Sequence, residues 1–282
     1  MIPSNQNHLQ TAAITDSGSQ GRLNEDSYQI TSYTISKNDD TPVLLTVVAD
    51  GIGGHKAGEV ASKITIDSIT SAIAESDVSD PQWVLKSALL EANHSITSEA
   101  AEDDDRIGMG STVACALIIG SSLYIANLGD SRIYLIRDNI IRQLTIDHTW
   151  VQEALDVGVI NSEEARNHPR RHLIRSYLGS SDPIKPDLRL YLADNENIEQ
   201  AKANQGLPLL PEDQILLCTD GLTDLLADEE ILDILQGNDT HDEQLQKMVD
   251  LANLRGGHDN ITIVLLQPPG EELFEEELGE TE

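Results

Sequence analysis

Cysteine is close to absent from this chain. Cys115 and Cys218 are the only two, each inside an apolar run, TVACALII and QILLCTDG. With no spaced cysteine set and no CxxC pair, a disulfide framework is excluded, and a reducing cytoplasm is the natural setting. Long apolar runs are missing too. No stretch of 18 apolar residues occurs and no charged-then-apolar leader opens the chain, so neither a membrane span nor a secretory signal is expected. Aromatic residues make up only 3 % of the sequence, which leaves Ile, Leu and Val to fill a core. The one phenylalanine, Phe274, lies beside Leu273 in the tail, where it reads as a chance apolar pair or a short docking motif. Positive charge is equally scarce. Eighteen Lys and Arg face 49 Asp and Glu, for a net charge of −31. A field of that sign repels phosphate backbones and anionic lipids, which argues against nucleic-acid or membrane binding. The plain account of such a charge is solubility or a salty cytoplasm, and the functional one is that divalent metal or a basic protein partner is drawn in.

What is present suits one domain with a sizeable core, since 282 residues suffice for a sheet-based enzyme. Residues 1–8 read as a polar, disordered start, and the domain is expected over 9–267. Strand patterns fall at Leu9–Thr15, Ser27–Tyr33 and Pro42–Val48, followed by helical spacing over Ala57–Ala74 and Pro81–Ala101. Asp80-Pro81 supplies an N-cap and a first-turn proline for the second of these. A meander of short strands is expected at Ser111–Ile119, Ser122–Leu128, Ser131–Arg137 and Ile140–Leu144, joined by turn-forming IIGSS, NLGDS and RDN. Trp150–Val157 reads as helix, and short helices and loops fill the stretch up to 180. Strand signals return at Leu188–Leu192, Gln214–Thr219 and Asn260–Leu266, with helices at Asp228–Leu235 and Asp242–Leu254. Pro268-Pro269-Gly270 ends the fold, and 268–282 is an acidic tail with seven glutamates after Gly270 that is expected to be disordered. Antiparallel strands broken by paired helices point to an α+β layered sandwich and not to a doubly wound parallel sheet.

Four aspartates share a local setting. Asp50 in TVVADGIGGH, Asp130 in ANLGDSR, Asp220 in LLCTDGLTD and Asp259 in GGHDNITIVLL each adjoin a strand and a glycine or tight turn. Asp224, four residues past Asp220, shares its helical face if GLTDLL begins a helix. Carboxylates at strand ends gather at one edge of a sheet, where loops build sites. Clustering them unpaired is costly, because each raises its neighbours' pKa, and a hard divalent cation reverses that balance. Oxygen-only ligands with no His or Cys set suit Mg²⁺ or Mn²⁺ over Zn²⁺. A single Asp-Gly is an ordinary turn; four in this order are a specific signal.

Taken with GRLNEDSY (21–28), GMGSTVACALI (108–118), YIANLGDSRIYLIRDNIIRQLTIDHT (124–149) and EEARNHPRRHLIRSYLG (163–179), these segments make the chain resemble the type 2C metal-dependent protein phosphatase family, in its compact bacterial form. The resemblance implies a four-layer αββα sandwich, two antiparallel sheets flanked by pairs of helices, with metal at one end. It implies hydrolysis of phosphoserine and phosphothreonine on proteins by metal-activated water, opposing a Ser/Thr kinase, in a cytoplasmic monomer. Carried over residue by residue, it implies two core Mg²⁺ or Mn²⁺ ions bridged by Asp50, with the Gly51 carbonyl on one and Asp220 and Asp259 on the other. Glu25 would hold metal-bound water, Asn260 would orient Asp259, and Asp130 and Asp224 would bind a third, weaker ion. Neither cysteine is followed by Arg five positions on, so a cysteine-based phosphatase signature is absent.

The match has departures. The family's phosphate-binding Arg stands before the NED triplet with two residues between it and the Asn; here Gly21 holds that place and Arg22 stands one step later. A one-residue shift on a strand turns a side chain to the other face, so Arg22 reaches the phosphate only through a local bulge. Ile52 stands where relatives with DGHGG carry a His, and His55 is read as structural. No histidine is assigned as a metal ligand. Residues 147–190 match a segment that overhangs the site, and Arg170 and Arg171 make it locally basic, suited to a phosphopeptide. Two alternatives stay open: a catalytically weak phosphoprotein-binding module, favoured by the shifted Arg22, and a phosphatase dedicated to one regulatory partner.

Overall fold

A computed structural model describes residues 1–21, 23–53, 56–166 and 168–270. Strands β1 (Ile2–Ser4), β2 (Gln10–Asp16), β3 (Ser27–Ser36), β4 (Asp39–Ala49) and β5 (Gly51–Ile52) precede helices α1 (Lys56–Glu75) and α2 (Pro81–Glu102). Strands β6 (Gly110–Ser111), β7 (Val113–Ile119), β8 (Ser122–Leu128), β9 (Arg132–Arg137) and β10 (Ile140–Gln143) follow. The second half holds α3 (Trp150–Asp156), α4 (Ser162–Arg166), α5 (Ile198–Ala203), β11 (Leu207–Pro208), β12 (Gln214–Cys218), α6 (Asp220–Thr223), α7 (Asp228–Leu235), α8 (His241–Leu254) and β13 (Ile261–Gln267).

The strands form two large antiparallel sheets, ordered β1-β3-β4-β7-β8-β11 and β10-β9-β12-β13-β2, with β5 and β6 as a small separate pair. Alternation along β4 shows how they stack. Val43, Leu45, Val47 and Ala49 face one way, into a cluster with Ile69 and Ile73 of α1 and Leu85 and Leu89 of α2. Leu44 and Val48 face the other way, against Ile215, Leu217, Val264 and Leu266 of the second sheet. The far face of that sheet, through Leu216, Cys218, Ile263 and Leu265, packs on Ile231 and Leu235 of α7 and Leu245, Met248 and Val249 of α8. Successive strand side chains point to opposite faces, so a central strand with both faces covered reads as a continuous apolar run. The result is the αββα sandwich of two antiparallel sheets between helix pairs. Both cysteines are free and buried in these layers, where the sulfur serves as a small apolar group.

Helix starts follow local chemistry. Asp80 accepts a hydrogen bond from the Trp83 amide at 3.1 Å, and Pro81 opens α2. Thr240 and Glu243 form a reciprocal capping box at α8. Among the described residues no helix is long and apolar enough to cross a membrane.

Two expectations need correcting. Residues 1–8 are not a frayed start: Ile2–Ser4 pairs with β3, and the N-terminal ammonium donates to the Ala74 carbonyl at 2.7 Å. The polar composition hid an edge strand whose stability comes from backbone pairing. Leu188–Leu192 is not a strand. Asp187 makes an isolated bridge to Asn127, and Leu190 is fully buried between the sheets. Alternating leucines there record burial, which an extended loop satisfies without a ladder. Helix α5 and strand β11 went unread, although Asn197 and Gln200 cap α5 reciprocally. The tail over 271–282, Phe274 included, lies outside the described residues.

Candidate active site

Antiparallel pairing brings the acids together. Asp50 follows the C-terminal end of β4, and β3, preceded by Glu25 and Asp26, starts beside it in register Ser27–Ala49. Asp220 follows β12, whose Cys218 pairs with Ile263 of β13, so Asp259 lies just before the paired end. Asp130 follows β8, whose Leu128 pairs with Val113 at the start of β7. Strand ends and strand beginnings thus alternate along one rim of the sandwich.

Hydrogen bonds fix these loops to one another. The Thr112 hydroxyl accepts from the Asp50 amide at 3.0 Å and pairs with the Ser131 hydroxyl at 2.7 Å, linking the Asp50 and Asp130 loops. The Asn260 side chain accepts from the Glu25 amide at 2.8 Å and donates to the Ser17 carbonyl at 3.2 Å. Its own amide donates to Asp259 Oδ1 at 2.9 Å, so Asn260 joins the Glu25 and Asp259 segments. Two of the glycines beside the acids show the steric reason. A Cβ on Gly51 would sit 2.1 Å from the Gly58 carbonyl oxygen, and Gly129 has φ +110° with Thr112 packed against it.

The electrostatics are those of a crowded anionic cage. Burial holds the Asp50 carboxyl well above the usual carboxylate range, and the charges of Asp26, Asp220, Asp130 and Asp259 push it further. Asp220 is raised in the same way, by burial and then by Asp130, Asp224 and Asp259. Asp130 is pushed up to about 7 by burial and by Asp147. Asp26 also rises to about 7, chiefly through burial, with hydrogen bonds from Thr262 and Thr219 opposing. Among the described residues, Asp26 Oδ1, Asp130 Oδ1 and Asp220 Oδ1 are buried with no hydrogen-bond partner. Orphaned acceptors at this density are costly unless a cation faces them. An all-oxygen donor set of this kind fits hard divalent ions such as Mg²⁺ and Mn²⁺.

Beside the cage opens a cavity of about 590 Å³, lined among others by Asp130, Asp220, Asp224, Arg166, Arg171, His172, Val151 and Leu155. The segment over 147–190 forms one of its walls. That segment is tied to the sheets at several points: the His148 amide donates to the Gly129 carbonyl at 2.8 Å, and Leu178 exchanges backbone hydrogen bonds with Ser111. Trp150 stacks on His168 with centroids 4.6 Å apart, and the Arg170 guanidinium lies 5.3 Å from the Trp150 ring. Of the two flap arginines, Arg171 therefore lines the cavity while Arg170 is held on Trp150. Arg132, next to the acids in sequence, grips Asp147 in a fork and donates to the Tyr134 hydroxyl at 3.0 Å, so it is committed internally.

Of the residues singled out from sequence, Asp50, Gly51, Asp130, Asp220, Asp224, Asp259, Glu25 and Asn260 all come to this rim. Arg22 and His55 lie outside the described residues. Sequence reading passed over Asp26, although it directly follows Glu25 before a strand, the same signal that marked the other acids. It also set aside His172, whose Nδ1 lies 3.0 Å from Asp224 Oδ2.

Comparison with known proteins bears on the whole arrangement. A family model described as protein phosphatase 2C matches residues 15–154. The serine/threonine phosphatase stp of Listeria monocytogenes is 34 % identical over 257 residues, covering 90 % of this chain and 93 % of its own. The structure of the serine/threonine phosphatase Stp1 from Staphylococcus aureus superposes with a TM-score of 0.78 at 32 % identity, covering 96 % of this chain and 98 % of that one. The catalytic domain of the serine threonine protein phosphatase PstP, solved with 2 manganese ions, gives 0.73 at 33 % identity, over 92 % of this chain and 97 % of that one.

Proposed function

We infer the roles of the rim residues from one premise: the chain belongs to the protein phosphatase 2C family and is a metal-dependent serine/threonine phosphatase acting on phosphoproteins within a kinase-linked system. Asp50, Gly51 through its carbonyl, Asp220 and Asp259 would hold two core Mg²⁺ or Mn²⁺ ions. Glu25 would hold metal-bound water, Asn260 would orient Asp259, and Asp130 with Asp224 would take a third, weaker ion. The observation that carries this reading is the set of orphaned, mutually repelling carboxylates of Asp130 and Asp220, with Asp50 among them.

Bound divalent ions supply an activated water near neutral pH and offset the charge that builds on the phosphoryl oxygens. The protein's own part is to hold acceptors still. Thr112 and Asn260 lock the loops in position before substrate arrives, so little reorganisation remains for the reaction itself. Water forms the new P–O bond as the Ser or Thr oxygen departs. Ile52 carries no transferable proton, so the leaving alkoxide takes its proton from solvent water. The intact acid set weighs against a silent binding module. Within this reading the protein works as a cytoplasmic monomer, and its charge of −31 supports a lack of nucleic-acid and anionic-membrane partners.

The test is hydrolysis of a phosphothreonine peptide by metal-stripped protein with Mn²⁺, Mg²⁺ or neither added back, beside Asp220→Asn. Turnover that needs metal and disappears in the variant supports the assignment. Turnover in Asp220→Asn equal to the parent's would remove Asp220 from the ligand set.

The cavity adds an expectation about substrate. With Arg171 on the wall and Arg170 held on Trp150, Arg171→Ala should raise KM for a phosphopeptide about tenfold, the scale of one charge-assisted hydrogen bond. It should leave KM for a small aryl phosphate unchanged, and Arg170→Ala should have the smaller effect. Equal changes on both substrates would rule out a peptide contact by Arg171.

A further inference from the structure

The wall over the acidic rim brings a nitrogen donor to it. His172 Nδ1, Asp220 and Asp224 each present one atom so that all three lie within 4.8 Å of one another. His172 Nδ1 is 3.0 Å from Asp224 Oδ2, and His258 Nε2 approaches the same oxygen at 3.4 Å. The two rings meet edge-on, with centroids 6.4 Å apart. Two imidazoles therefore converge on one carboxylate oxygen. Asp130, only 6 % exposed, faces the same cavity, and its buried Oδ1 has no partner among the described residues.

Two observations separate a ligand set from a cluster of surface acids here. The first is that buried, unpartnered Asp130 oxygen. The second is convergence: a nitrogen from the wall and one carboxylate oxygen each from Asp220 and Asp224 lie within 4.8 Å of one another, a span that a single ion can bridge.

We propose that His172 Nδ1 is a ligand of the third ion, alongside Asp130 and Asp224, with His258 positioning Asp224 from behind. This rests on the assignment of Asp130 and Asp224 to that ion and extends it by one donor from a different part of the chain. The consequence is selectivity. Imidazole nitrogen suits first-row transition ions far better than Mg²⁺, which prefers oxygen and water. The core sites, built from oxygen alone, accept either ion; the third site, with a nitrogen, favours Mn²⁺. His172 also lies on the wall over 147–190, so filling the site pins that wall to the rim.

The experiment is pulsed electron paramagnetic resonance on full-length protein titrated with one, two and three equivalents of Mn²⁺, read for coupling to ligand ¹⁴N. Isothermal titration with Mn²⁺ and Mg²⁺ runs in parallel. The parent should show directly bound nitrogen only as the third equivalent enters. His172→Ala and His172→Gln should lose that coupling, weaken the third Mn²⁺ equivalent at least tenfold and change Mg²⁺ affinity less than twofold. His258→Ala should keep the coupling. His172 is 44 % exposed at its side chain, so these variants should fold. Three bound equivalents with no nitrogen coupling, or coupling that survives in His172→Ala, would overturn the proposal while leaving the core assignment standing. Failure of the first two equivalents to bind would overturn the core assignment and this proposal with it.

Discussion

Asp50→Asn should lose phosphopeptide hydrolysis by on the order of a thousandfold or more and, with metal stripped away, should melt at a higher temperature than the parent. The two effects have one cause. Asp50 sits among Asp26, Asp220, Asp130 and Asp259, and burial together with their charges holds its carboxyl far above the ordinary range. In the absence of a cation that carboxylate is a liability. Asparagine keeps the shape and one acceptor oxygen while removing the charge. Relief of an unfavourable buried charge is worth roughly 1–4 kcal/mol, and each kcal/mol moves Tm by about 2–4 °C in a chain of this size. Under the proposed assignment the same change removes the anionic acceptor that would serve both core ions. Differential scanning fluorimetry with chelator, beside the peptide assay with Mn²⁺, measures both. A variant that loses activity and thermal stability together would show that the carboxylate supports the fold more than it opposes it. Retained turnover would remove Asp50 from the reaction.

The second large effect is a reversal in the pH dependence of stability on adding metal. Asp26 and Asp130 are both raised from 3.8 to about 7 in the folded state, burial being the main cause in each case. Between those values the native state holds protons that the unfolded state has released. Stability of the metal-free protein is therefore greatest at the acidic end and falls as pH rises from about 4 to about 7. A tenfold difference in proton affinity between the folded and unfolded states is worth about 1.4 kcal/mol, so either group alone gives a loss on the order of 4 kcal/mol across that window. Asp50 and Asp220, raised in the same sense, add to the decline. A divalent ion favours the ionised forms and inverts the sign, so stability with saturating Mn²⁺ should rise over the same interval as binding strengthens. Urea unfolding at pH 5, 6, 7 and 8, with chelator and with Mn²⁺, resolves the two curves. Parallel curves, or a metal-free protein that gains stability toward pH 8, would refute the caged-carboxylate account.

Much of this architecture is visible in one dimension. The apolar run at Pro42–Val48 became the interior of β4, and helical spacing over Asp228–Leu235 became α7 with the same bounds. These segments declare themselves because both faces, or one stripe, must be buried whatever their partners are. Edge elements do not. Ile2–Ser4 becomes a strand only because β3 offers a ladder, and that information lies some thirty residues away in Ser32–Thr34. Leu188, Leu190 and Leu192 gave the alternation of a strand with no neighbour to complete it. An apolar pattern records how deeply a side chain is buried, and is silent on where its backbone hydrogen bonds go.

The site divides along the same line. Strand-end position, an adjacent glycine and the choice of aspartate over histidine or cysteine are local properties, and they were enough to pick out Asp50, Asp130, Asp220 and Asp259, which the fold gathers at one rim. Only the folded chain could show that Asp26 belongs with them. Its Oδ2 accepts from the Thr219 hydroxyl at 2.9 Å across 193 residues of sequence, and its burial follows from that junction of two sheets. His172 and His258 likewise looked like ordinary polar loop residues until the wall over 147–190 and the loop before β13 brought both to Asp224. The identity of each donor is a property of the residue and is written in the sequence. Charge repulsion, desolvation and ligand spacing act through space with steep distance dependence, so which donors share one cage was decided by tertiary contact alone.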